Sequence, residues 1–340
     1  MRTRIAAGLA VFMAVLSVLT GGSSNPAGAQ DKTKTIPPTH LYGHDLKVRP
    51  GGEREWTNAL KIGVEFFRDD ATKTIIAISD TGSIAVTRAP VGALGKMEKP
   101  DWLTAHDLAC RKAGEVEFTQ KTKKFGVELF RDRPTNTLLY VCESGSLVLA
   151  SVPGGLVTDK EPKWHHALEP KVRAPEQDKF DTAKKFGMEI FKDENTGGLI
   201  YVTETGGIAP AAAPGEAVDP KKLQPPKTMY GLVLRVRGAA ETEFTEKTKK
   251  MGVEVFEDPN SKATFYITEA GFVATAPKAG KIPDDAKGVT WKSAMALGAR
   301  KAGEKLFDTA KKYGIEVFED NRTGNLIFIS ETGSIAVLPK

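Results

Sequence analysis

The sequence predicts an all-β protein, a five-bladed β-propeller of four-stranded antiparallel blades, on three observations. One unit is written five times, each unit carries strand and turn signals in a fixed order, and the two ends of the chain are offset by one strand. The clearest marker is G-[VMI]-E-[VFLI]-F, opening at Gly63, Gly126, Gly187, Gly252 and Gly314, with spacings of 63, 61, 65 and 62 residues. A period of this size that fills the chain marks stacked units whose core becomes continuous only when neighbours meet. One such unit alone would bury too little apolar surface to be stable.

Residues 1–29 read as a secretory leader. Arg2 and Arg4 precede an apolar run, Ile5 to Thr20, and Ala27-Gly28-Ala29 supplies a small-residue cleavage site. The mature chain is therefore expected to be secreted or otherwise extracytoplasmic. No membrane span is expected, because no later stretch approaches the ~20 apolar residues a spanning helix needs. Residues 30–39 read as a flexible segment, and 40–340 as a single five-repeat domain. Removing the leader takes Lys+Arg from 48 to 46 against 43 acids, so the net charge falls from +5 to +3. That balance is not a nucleic-acid footprint, and no nucleic-acid partner is expected. Cys110 and Cys142 are too few for a disulfide scaffold.

Within a unit the strands follow in order. Gly126 to Asp132 is a run of β-formers (strand a), Leu138-Leu-Tyr-Val-Cys142 is strand b, and Ser146-Leu-Val-Leu-Ala150 is strand c. The b–c turn carries a glycine in every unit, at Gly82, Gly145, Gly206, Gly271 and Gly333, where a two-residue hairpin demands positive φ. A linker rich in Pro, Gly and Lys then leads to a fourth strand d, such as His106 to Arg111. An aromatic follows seven residues past the Arg, at Trp56, Phe118, Phe180, Phe244 and Phe307. The next residue, Thr or Asp, is placed to N-cap one helical turn.

The chain starts on a lone strand d, Tyr42 to Arg49, and ends on strand c, Ser334 to Pro339. The expectation is that the N-terminal strand completes the fifth blade and so closes the ring, removing two open edges. The alternative architecture is five tandem small α+β repeat modules, which leaves the missing fourth strand unexplained.

The order of signals in Asp101-Trp102-Leu-Thr-Ala, the Gly-Glu turn, the F-G-V-E-L-F strand, Leu-Leu-Tyr-Val and Ser-Leu-Val-Leu-Ala-Ser-Val-Pro resembles the tachylectin family of five-bladed propeller lectins. The resemblance covers all five units as pattern. It implies a secreted sugar-binding protein with repeated sites, N-acetylated sugars being the usual ligands.

The repeated residues divide by class. Glu65, Glu128, Glu189, Glu254 and Glu316 are expected on the strand nearest the axis, either as a cation-binding ring or, the favoured reading, paired with a Lys or backbone group of the next blade. Arg49, Arg111, Arg173, Arg237 and Arg300 are expected to pair with the acid four residues on, which in unit three is Gln177. Phe67, Phe130, Phe191, Phe256 and Phe318 are expected in the core between blades. The acids before the tight turns, Asp80, Glu143, Glu204, Glu269 and Glu331, read as a loop row or as solvated turn residues. His44-Asp45 and His106-Asp107 read as polar outer strand, and His165-His166 as a ligand-facing rim at best.

No Walker loop, zinc-spaced cluster or nucleophile elbow appears, so neither enzyme chemistry nor a cofactor or metal is expected. The candidate ligand-binding residues are Asp101, Trp102, Trp164, Trp291, Asp132 and Asp193, an aromatic platform beside acids on the face of the long linkers. The expected function is a multivalent carbohydrate-binding propeller. The alternative is an extracytoplasmic scaffold that binds a protein partner, or a structural propeller of the cell envelope.

Overall fold

The computed structural model describes residues 37–90, 94, 97–213, 223–278 and 287–340; the expected leader, 1–29, and residues 30–36 of the expected flexible segment lie outside them. Five four-stranded antiparallel sheets form the blades of a propeller. Blade 1 is β1 (Thr39–Val48), β2 (Leu60–Asp69), β3 (Thr74–Ser79) and β4 (Ile84–Arg88). Blade 2 is β5 (Asp101–Cys110), β6 (Lys123–Asp132), β7 (Thr137–Cys142) and β8 (Leu147–Ser151). In blade 3, β9 (Lys163–Leu168) precedes a separate two-stranded pair, β10 (Lys171–Val172) and β11 (Lys184–Lys185). Then follow β12 (Met188–Asp193), β13 (Gly198–Thr203) and β14 (Ile208–Ala212). Blade 4 is β15 (Lys227–Val236), β16 (Lys249–Asp258), β17 (Ala263–Thr268) and β18 (Val273–Pro277). Blade 5 is β19 (Val289–Ala299), β20 (Lys311–Asp320), β21 (Leu326–Ser330) and β22 (Ile335–Leu338). Pro170 explains the break in blade 3: it stands where the ladder needs an N–H.

Three expectations are corrected. Strand d belongs to the blade that follows it, since β5 pairs with β6 and β1 with β2. Each blade is thus contiguous in sequence, and the N-terminal strand does not close the ring. The strands of each blade pair in chain order, with the β10–β11 pair set between β9 and β12 in blade 3, and the c–d linkers carry the chain to the next blade. Second, the strands that meet around the axis are β4, β8, β14, β18 and β22, not those bearing the repeated glutamates. Third, the d–a connections hold turns rather than a helical turn: Thr122 N donates to Thr119 O, and the Thr119 amide is taken by Thr122 Oγ1.

The seams between blades explain the repeated glycine of the motif. A Cβ on Gly126 would stand 1.8 Å from the Arg49 carbonyl oxygen, and the other four motif glycines face the same carbonyl of their preceding blade at 2.0 to 2.2 Å. Only a residue without a side chain lets the two backbones cross there. Beside this crossing, apolar residues from adjacent blades form a cluster at each seam: Phe130 of blade 2 packs with Val64 and Phe66 of blade 1, and Phe318 of blade 5 with Val253 and Val255 of blade 4. Where blade 5 meets blade 1, Leu297, Tyr313 and Phe328 pack with Phe67, Ile76 and Ile78.

Every outermost strand also carries one β-bulge at the same point, at Leu41, Leu103, His165, Met229 and Lys292. A bulge re-aims the neighbouring side chain and spoils an edge for pairing with another chain. The residue just before it is His40, Trp102, Trp164, Thr228 or Trp291. Cys110 and Cys142 are buried free thiols on β5 and β7 of one blade, with β6 between them. No helix among the described residues is long and apolar enough to cross a membrane.

Candidate functional site

The repeated glutamate is the anchor of each seam. Glu128 sits in the middle of β6, almost wholly buried, and Arg49 of blade 1 forks onto it, Nε to Oε1 at 2.7 Å and Nη2 to Oε2 at 3.2 Å. The same fork recurs from Arg111 to Glu189, Arg173 to Glu254, Arg237 to Glu316 and Arg300 to Glu65, always reaching from one blade to the next. The remaining guanidinium nitrogen donates to the backbone five residues on, as from Arg49 Nη1 to Arg54 O at 2.8 Å. The expected pairing with the acid four residues on does not occur. In four units that residue accepts a backbone N–H of its own turn instead, as Gln177 does from Ala174 and Glu241 from Gly238, while Glu53 accepts from Asn58 Nδ2. An acceptor is needed there and a charge is not, which is why Gln177 serves.

A stacked aromatic residue lies in every outer groove, and in three of them a Trp joins it. The guanidinium carbon of Arg49 lies 4.5 Å from the Trp56 ring centre, and the corresponding Arg lies 4.4 Å from Phe118, Phe180 and Phe244 and 4.7 Å from Phe307. Such stacking of a cation on an aromatic face is itself attractive. From the following blade, Trp102 Nε1 donates to Glu128 Oε2 at 2.6 Å; Trp164 and Trp291 donate likewise to Glu189 and Glu316, both at 2.7 Å. Trp102 stands nearly perpendicular to Trp56 with centroids 6.1 Å apart, and the two rings remain 49% and 38% exposed. Phe118 and Trp164 repeat the arrangement at 6.4 Å.

The grooves are not identical. At the seam of blades 5 and 1 His40 replaces the Trp, with Nε2 2.8 Å from Glu65 Oε2 and its ring edge-on to Phe307. Burial alone would raise the Glu65 carboxyl, but His40 and Arg300 outweigh it and hold the group below the usual carboxylate range. Between blades 3 and 4 Thr228 stands in that place and offers no ring.

Asp132 and Asp193 do not join this surface. Both are fully buried, and their carboxylates face the preceding blade. Asp132 accepts from Tyr42 Oη at 2.7 Å and His44 Nε2 at 3.1 Å; Asp258 accepts from Tyr201 Oη at 2.6 Å and His166 Nε2 at 3.0 Å. Asp193 lies 3.3 Å from Tyr140 Oη and 3.7 Å from His106 Nε2. Burial would raise the Asp193 carboxyl, but the His106 imidazole, Thr196 and the Asn195 amide hold it down at about 2. His44 and His106 do lie on outermost strands, but buried in the seams, and His166 is buried in a seam rather than on a ligand-facing rim. The acids before the tight turns also bind across seams: Glu143 Oε2 accepts the Gly51 amide at 2.7 Å, and Glu204 that of Ala113 at 2.9 Å.

Of the predicted ligand-binding residues, the structure leaves Trp102 and Trp164 exposed and Trp291 half-buried, all three in outer grooves. Asp101 faces solvent in a fork with Arg133, at 2.7 and 3.1 Å. Sequence reasoning did not place the second aromatic or the arginine in the groove. The constant seven-residue spacing from Arg49 to Trp56, repeated five times, was the signal that could have found them.

No protein-family model matches the chain, and no curated protein matches it. Two solved structures of virginiamycin B lyase from Staphylococcus aureus align with it. One is a catalytically inactive variant with quinupristin, 13% identical over 88% of this chain and 74% of the lyase. The other is a selenomethionine-substituted form, 12% identical over 86% and 69%. The TM-score is 0.12 in both cases, and the likeness carries no argument about chemistry.

Proposed function

We propose that the protein is a multivalent carbohydrate-binding propeller whose sites are the outer grooves between blades. The observation that carries this reading is the exposed Trp56–Trp102 pair, held perpendicular by an arginine and an indole N–H that both end on buried Glu128. A ring face locked by such contacts offers the C–H face of a sugar a surface that loses little freedom on binding. The buried glutamate positions the platform, and hydroxyl recognition falls to the backbone and to exposed groups at the groove rim. The resemblance to tachylectin-type lectins supports the same reading and suggests N-acetylated sugars, and the leader fits a secreted or extracytoplasmic protein. The role is one of binding rather than turnover.

A glycan array on the mature protein tests it. Several weak, equivalent grooves should give signal on clustered sugars and little on sparse ones, because avidity multiplies weak sites. Density-independent silence across the array would reject the reading. A second reading, a scaffold for a protein partner, is favoured by Val116 and Leu306, which stand 84% and 67% exposed on the d–a loops of blades 2 and 5. Loss of partner capture on changing these two residues, with the array silent, would support it.

A further inference from the structure

The axial channel has two unlike ends. At the end of the tight b–c turns, serines stitch the inner strands together: Ser83 Oγ lies 3.3 Å from Ser334 Oγ, and the amides of Ile84, Leu147 and Ile208 donate to Ser334, Ser83 and Ser146. At the other end, where the inner strands finish, the channel widens. A throat of about 80 Å³ walled by Val86, Leu149 and Val337 lies beside a mouth of about 660 Å³. That volume is in the range of small-molecule sites.

The charged side chains among the described lining residues of this mouth are both cationic. Arg88 at the end of β4 and Lys340 beyond β22 both line it and both are exposed, and no aspartate or glutamate is among its described lining residues. Arg88 donates Nη2 to Pro339 O at 2.6 Å, which holds the guanidinium at the rim and leaves its other N–H groups free to turn to a ligand. Beneath the two cations the wall is apolar, with Leu138, Leu199 and Leu338. Two cationic side chains over an apolar well favour a ligand with one anionic head and a short hydrocarbon body.

We propose that the mouth of the axial channel is a second binding site, one per chain, for a small anionic amphiphile such as a medium-chain carboxylate. The head group meets Arg88 and Lys340, and the chain enters the throat. The site is separate from the outer grooves and does not depend on what they bind.

Calorimetric titration of the mature protein with octanoate, and with octyltrimethylammonium as the charge-reversed probe, tests the proposal. Octanoate should bind at one per chain and the cation should not. Arg88→Gln with Lys340→Gln should weaken octanoate about tenfold, since two solvent-exposed charged contacts together are worth about a decade. Both side chains are exposed, so the doubly substituted protein should melt as the parent does, and Trp102→Ala should leave octanoate binding unchanged. Equal binding of the two probes, no octanoate binding, or unchanged affinity in the double variant would overturn the site.

Discussion

Arg300 of the last blade forks onto Glu65 of the first at 2.6 and 3.1 Å, the same geometry that joins each other pair of neighbouring blades. The ring is therefore closed by side chains and packing, with no strand shared between the ends. If the closing seam is equivalent to the others, Glu65→Gln and Glu128→Gln should cost alike. Gln keeps one carbonyl acceptor, so the loss should be about 2 kcal/mol, below the ~3–5 kcal/mol of a fully broken buried pair. Thermal melts of the two variants check this, and a cost confined to Glu128 would mean that the seam of blades 5 and 1 is held by something else.

Whole blades at both ends of the chain make a second test possible. Joining Lys340 to Thr39 by about a dozen residues, like the natural linker between β4 and β5, and opening the chain at 223–226 should give a permuted protein of parental fold. Circular dichroism and a cooperative melt read the outcome, and an aggregated permutant would count against contiguous blades.

The sequence made the blade interior legible because it is local. The tight-turn glycines do adopt positive φ, from 84° to 88°, and strands a, b and c fall where the alternation puts them. The partner of strand d was not legible. His106 to Cys110 reads as a strand whichever blade it joins, and hydrophobic pattern says nothing about which edge receives it. That one assignment also misplaced the axis and sent Glu128 to the innermost strand. Asp132 was misjudged for a related reason: its donors, Tyr42 and His44, are about 90 residues away in sequence and meet it only across a seam.

Gly126 gives a sharper local test. Gly126→Ala would press a Cβ into the Arg49 carbonyl at 1.8 Å, a clash with backbone that no rotamer relieves. The expected cost is about 3 kcal/mol or more, by the overpacking rule. Gly154→Ala, with open space around it and an ordinary φ, should melt within about 1 °C of the parent and serves as the control.

Acid should weaken the seams. The Asp193 carboxyl is held at about 2, below the ordinary ~4, so its contribution to stability is complete above pH ~4 and lost as pH falls through 2. For this fully buried group the contribution is about 2 kcal/mol, and Asp258, held down against its own burial by His166, adds in the same direction. Asp193→Asn should be less stable at neutral pH and show a shallower decline between pH 4 and 2. Melting curves that run parallel through that window would show that Asp193 is not linked to folding.

Trp102 decides between a platform and a plug. As a platform it belongs to the three grooves with a Trp, at Trp102, Trp164 and Trp291, whereas the grooves of His40 and Thr228 should bind weakly or not at all. Trp102→Ala should then remove one site from about three. With the ring half exposed, it should cost well under the ~3–5 kcal/mol of a fully buried aromatic. Losing the indole N–H leaves Glu128 with its arginine fork intact, so the seam itself should hold. If the ring only fills the groove, the same change should lower the melting temperature sharply and leave the number of bound sugars untouched. Calorimetric titration with a multivalent glycan, run beside a thermal melt of the same variant, separates the two, and a large stability loss at unchanged stoichiometry would end the lectin reading for this groove.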